Sequence, residues 1–85
     1  MHIQLRFFAS LREALGLSSD TVTVPDSAMT AQDVLTVLRT RGGAWAEALT
    51  DAGSFRVAVD QRLGTLDSPI RNGAEVAFFP PVTGG

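Results

Sequence analysis

Two glycines, Gly84 and Gly85, close the sequence behind a stiff apolar run, Phe78-Phe79-Pro80-Pro81-Val82-Thr83. Glycine makes up about 7% of average sequence, so a terminal pair arises by chance roughly once in two hundred chains. A diglycine has no side chain to obstruct it, so it can thread a narrow channel and leave its terminal carbonyl open from either face. The α-carboxylate there has an ordinary pKa near ~3.5 and is ionised at neutral pH. It is a poor electrophile until converted into an anhydride. A frayed end would need no such chemistry, but a frayed end is seldom introduced by a strand and two prolines. The terminal carboxylate of Gly85 is therefore the candidate reactive group, with Gly84, Thr83 and Val82 as the tail that presents it.

The rest of the chain offers little competing chemistry. No cysteine is present, which excludes disulfides, thiolate catalysis and zinc-thiolate sites. All seven basic residues are arginine, so Schiff-base chemistry and a phosphate-loop lysine are absent too. Net charge is −2 and the arginines are scattered singly, with no basic stripe of the kind a nucleic-acid partner requires. His2 is the single histidine, on the solvent side of a strand, and is expected to be an ordinary exposed residue. Gly42-Gly43 lacks the strand-loop-helix setting of a phosphate loop and reads as a helix stop. The nine carboxylates form no close pair on one face. No metal site is expected.

Eighty-five residues, 45% of them apolar and 19% charged, suit one small globular domain. No apolar run approaches the length of a membrane span and no signal-peptide block opens the chain, so a soluble cytoplasmic protein is expected, with no membrane partner. Residues 2–8 alternate, with Ile3, Leu5 and Phe7 on one face and His2, Gln4, Arg6 and Phe8 on the other, which predicts a half-buried strand. Ser10 with Glu13 three residues on has the form of a capping box opening a short helix, about one and a half turns long, that Gly16 ends. Residues 21–24 predict a second strand with Val22 and Val24 inward, stopped by Pro25. Thr30 and Asp33 then open the principal helix, whose apolar stripe is Ala31, Val34, Leu35 and Leu38. Arg39 and Arg41 suit its negative end, with Gly42-Gly43 as its stop.

Residues 44–49 read as a helical turn carrying Trp45, a packing residue, and Gly53 as a break before a strand over 55–59. Asp60-Gln61 predicts a tight turn into a short strand around 62–65. Ser68-Pro69 and Asn72-Gly73 mark the turns before a last strand over 75–79. The expected architecture is α+β: one mixed sheet, a principal helix and short additional helices, with residues 1–81 as the domain and 82–85 as its extended tail.

In that last strand Val76 and Phe78 must share one side, and Glu75, Ala77 and Phe79 the other. Phe78 then belongs to the core. Phe79 and Phe8 face outward and predict an apolar patch for a partner. Each ring would contribute about 1.5–3 kcal/mol if removed from water. Pro80 and Pro81 deny the chain ladder donors, ending the sheet and projecting the tail in an extended course.

The segment Glu75-Val-Ala-Phe-Phe-Pro-Pro-Val-Thr-Gly-Gly85 resembles the C-terminus of the small subunits of molybdopterin synthase nearly residue for residue. Phe7-Phe8-Ala9, then Leu11-Arg12-Glu13 and Gly16, are similar to that family's opening. Val59-Asp60-Gln61 falls where the family usually has a Val-Asn-Gln turn, and Asn72-Gly73-Ala74 where it commonly has Asp-Gly-Asp. The resemblance spans the chain and is most specific in the last eleven residues.

It implies a ubiquitin-like β-grasp fold with the first and last strands side by side. It also implies a sulfur carrier that is not an enzyme on its own. An activating enzyme resembling the ubiquitin E1 would adenylate Gly85 with ATP and magnesium, and a sulfur donor protein would supply the sulfur of a thiocarboxylate. The large subunit, in a heterotetramer, would take in the tail and pass sulfur to a pterin precursor to build the molybdopterin dithiolene. The chain itself would bind no cofactor. Phe8, Leu63, Phe79, Pro80 and Pro81 would meet the partner. A sulfur carrier for thiamine or tRNA thiolation, a ubiquitin-like protein modifier, and an interaction module with an idle tail are the alternatives.

Overall fold

The alternation in residues 2–7 is realised as strand β1, His2–Phe7, with Ile3, Leu5 and Phe7 buried and the residues between them exposed. The computed structural model describes residues 1–49 and 55–79. The break expected at Gly53 and the tail expected over Pro80, Pro81, Val82, Thr83, Gly84 and Gly85 lie outside the described residues. After β1 come α1 (Ala9–Leu15), β2 (Ser19–Thr23), α2 (Ala31–Arg39), α3 (Gly43–Ala48), β3 (Arg56–Val59), β4 (Arg62–Gly64) and β5 (Glu75–Phe79). The strands form one mixed sheet in the order β2-β1-β5-β3-β4. β5 runs parallel to β1 and antiparallel to β3, so the last strand of the chain sits in the middle of the sheet.

Helix α2 begins as its sequence requires. The Asp33 carboxylate accepts the Thr30 N–H at 3.0 Å, and the reciprocal arm from the Thr30 side chain completes the capping box. Ala31, Val34, Leu35 and Leu38 are all buried, at the spacing of one helical face. They pack on Ile3, Leu5, Phe7, Val57, Val76 and Phe78 from the covered face of the sheet, and Leu11 and Leu49 join them. Asp60 and Gln61 both take positive φ, 51° and 67°, the pair of left-handed conformations that a two-residue hairpin turn between β3 and β4 requires.

Two local expectations are overturned. Ser10 is not the N-cap of α1. The helix starts at Ala9 and is capped by Phe8, with no side-chain hydrogen bond, and its seven residues make about two turns rather than one and a half. The reason is that Phe8 continues the extended course of β1 (φ −128°, ψ 156°) and Ala9 takes up the reversal at φ 52°. Gly42-Gly43 does not end α2 either. The helix stops at Arg39 with Thr40 as its C-cap, and Gly42, at φ 72°, opens α3 instead. Gly16 does close α1 as expected, at φ 75°, donating its N–H to the Arg12 carbonyl.

Candidate functional site

The register of β1 on β5 pairs Phe7 with Phe78, both buried beneath the helices. Side chains alternate across a strand, so the next residues, Phe8 and Phe79, emerge on the opposite, helix-free face. Their rings stack with centroids 4.9 Å apart and planes within 5° of parallel. Phe8 is 38% exposed and Phe79 half-buried. Each ring covers one side of the other while the pair stays open to solvent. The sequence-predicted pair is thus brought together.

Leu63 lies on the same face, 69% exposed. The ladder links it to the aromatic pair through small residues: Leu63 is opposite Ala58, Ala58 opposite Ala77, and Ala77 opposite Arg6. Arg56 stands opposite Phe79, so the strip is bracketed by Arg6 and Arg56, neither of which forms an ion pair among the described residues. The strip runs to Phe79, the residue directly before Pro80.

On the covered side a second cluster insulates the inner rings. Trp45 meets Phe7 edge-on, with centroids 5.6 Å apart and planes at 70°. The Arg41 guanidinium lies 4.4 Å from the centre of the Trp45 ring and donates to Asp20 at 2.8 Å. That bond, together with the Thr21 N–H, holds the Asp20 carboxyl below its usual range. Asp33 is lowered as well, by the N–H groups of Met29 and Thr30 that it accepts. The link of Arg41 to Asp20 spans 21 residues and carries no local signal; only the aromatic at position 45 hinted at a packing role.

No group of acidic residues and histidine among the described residues could hold a metal ion, and no helix among them is long and apolar enough to cross a membrane. His2 is exposed, its Nδ1 3.3 Å from Thr23 Oγ1. What the described site offers is an exposed aromatic and aliphatic strip that ends at Phe79.

The model of the ThiS family matches residues 5–85. The molybdopterin synthase sulfur carrier subunit of Haemophilus influenzae is 43% identical over 83 residues, covering 98% of this chain and 99% of that protein. Its counterpart in Escherichia coli K12 is 41% identical over 83 residues, covering 98% and 99%. Among solved structures, the protein-protein complex of subunits 1 and 2 of molybdopterin-converting factor from Helicobacter pylori contains a chain that superposes with a TM-score of 0.62. That chain is 23% identical, with all of both chains covered, and the likeness bears on the fold. The first and last strands lie side by side in this ubiquitin-like β-grasp sheet, and the match reaches through the final glycines. The chain belongs to the ThiS family and, within it, to the molybdopterin synthase sulfur carrier subunits.

Proposed function

We propose that this chain carries sulfur for molybdopterin synthase on the carboxylate of Gly85, and that its helix-free sheet face docks the proteins that load and unload it. The observation that carries the reading is the exposed Phe8–Phe79 stack, set at the end of the strand that leads into the tail. Residues 1–81 act as the handle and 82–85 as the arm. An E1-like enzyme adenylates Gly85 with ATP and magnesium, which turns an unreactive carboxylate into an anhydride. Sulfur delivered by a donor protein at the sulfide level then attacks the carbonyl of that anhydride, AMP leaves, and a thiocarboxylate remains. The large subunit accepts the tail, with Gly84, Thr83 and Val82 in its channel and Pro80 and Pro81 at its mouth, and the sulfur passes to the pterin precursor. The catalytic side chains belong to that subunit. An ATP-dependent loading step fits a chain that works in the cytoplasm.

The test moves the carboxylate without touching the fold. Deleting Gly85, or adding one residue after it, should leave thermal stability unchanged and abolish thiocarboxylate formation, read by mass spectrometry of the intact chain. Gly84→Ala adds a Cβ where the backbone must pass a tight channel, so transfer should fall steeply at unchanged stability. Normal dithiolene formation by the shortened or lengthened chain in a reconstituted assay would overturn the proposal.

A further inference from the structure

At the far edge of the sheet from β2, a cleft of about 610 Å³ opens beside β4. Its apolar lining includes Val59, Pro69 and Ile70, and its cations are Arg62 and Arg71. Neither arginine forms an ion pair among the described residues. Asp60 is the one carboxylate among the described lining residues, and its Oδ1 accepts the Glu75 N–H at 3.0 Å.

The walls are built and held. The Ile70 N–H donates to the Met29 carbonyl at 3.1 Å, and the Ala31 N–H to the Ser68 carbonyl at 3.0 Å. A bridge between Thr30 and Pro69 ties the same segment to the start of α2. Gly64 and Ser68 approach so closely that a Cβ at position 64 would collide with the Ser68 hydroxyl. Two guanidinium groups without carboxylate partners over an apolar floor, on a chain of net charge −2, make a local inversion of the molecule's charge. Guanidinium forks match carboxylates in bidentate geometry. None of the lining residues is fully buried, so the cleft is a trough for an extended chain rather than an enclosing pocket for a small molecule. β4, as the end strand, also leaves its outer edge without a neighbouring strand among the described residues.

We propose that this trough docks an extended acidic segment of a partner protein, with carboxylates on Arg62 and Arg71 and an aliphatic side chain against Val59, Pro69 and Ile70. The proposal is independent of the chemistry at the tail. The probes are a short peptide alternating valine and glutamate and its lysine counterpart, added to the isotope-labelled full chain while amide shifts are mapped. The acidic peptide should move the amides of residues 59–63 and 68–71, weakening as salt is raised. Arg62→Gln with Arg71→Gln, both exposed and expected to fold normally, should weaken it at least about tenfold. Equal binding of the lysine peptide would overturn the proposal, as would shifts confined to Arg6, Arg56 and Phe79. It is overturned equally if millimolar acidic peptide moves nothing, or if inorganic phosphate alone reproduces the pattern.

Discussion

β1 with the residue that follows it, and β5, present two pairs of phenylalanines, one residue apart, on opposite faces of the same sheet. Phe7 and Phe78 are sealed inside, with centroids 6.4 Å apart and planes at 15°, and Trp45 closes over Phe7. Phe8 and Phe79 stack more closely, at 4.9 Å, yet have no helix above them among the described residues. The residue type is the same and the positions are adjacent along the chain; what differs is the side of the sheet. The inner pair contributes to folding, because the chain itself removes it from water. The outer pair, with Phe8 still 38% exposed, keeps only the remaining part of that contribution for whatever covers the open face. Stacking of the outer rings on each other is worth only about 0.5–1.5 kcal/mol.

The sharpest way to break this comparison is to truncate each ring in turn. Phe78→Ala should lower folding stability by about 3–5 kcal/mol in chemical denaturation, since it opens a cavity where the side chain is 0% exposed. Phe79→Ala should leave the fold intact and weaken large-subunit binding at least about tenfold, or about 1.4 kcal/mol, by calorimetry. If Phe79→Ala unfolds the protein and Phe78→Ala spares it, the faces have been assigned in reverse. Leu63→Ala asks how far the outer surface extends. It should change stability by no more than about 0.5 kcal/mol and weaken binding by less than Phe79→Ala does.

The smallest effect tests the seal on the inner pair. Asp20 has a folded-state pKa below its unfolded value, so its contribution is present above the unfolded carboxylate pKa, about 3.9. That contribution is lost as pH falls below that value through the lowered folded one. Asp33 behaves in the same sense. Wild-type stability should therefore be flat from neutral pH down to the ordinary carboxylate range and drop below it. Asp20→Asn should flatten part of that drop at a neutral-pH cost of under about 1 kcal/mol, as befits a half-exposed pair. Near-ultraviolet dichroism of Trp45 should change with it, because Arg41 loses its anchor. An identical acid profile for Asp20→Asn would show that the Arg41 contact adds nothing to the seal.

Where periodicity is long-range and strict, the sequence is legible. The faces of β1 and β5 and the stripe of α2 follow from spacings of two and of three to four, since a one-residue error would put every apolar side chain in water. The outward placement of Phe8 and Phe79 is legible for the same reason. Local motifs are less decisive. Ser10 and Glu13 have the form of a cap, but Phe8 stays extended to meet Phe79, and the helix starts where the chain first turns, at Ala9. Gly42 and Gly43 look like a stop, yet Leu38 is the last residue of α2 that the core can use, and the chain turns before reaching them. Contacts between distant residues left no trace at all. Arg41 reaches Asp20, and Arg62 and Arg71 line one trough, only because the sheet brings their elements together. In sequence they are single arginines.

The position of β5 has a consequence for synthesis. The final strand of the described chain is the middle strand of the sheet, hydrogen-bonded on both sides. Until Phe79 has left the ribosomal tunnel, β1 and β3 have no strand between them, and their central edges and inner apolar faces stay open. Pairing the first strand with the last also imposes a long loop closure before most of the sheet can form. The Phe8–Phe79 stack therefore cannot form before β5 is available. The closed sheet and the stacked outer rings arrive together, and a chain cut short before β5 has neither.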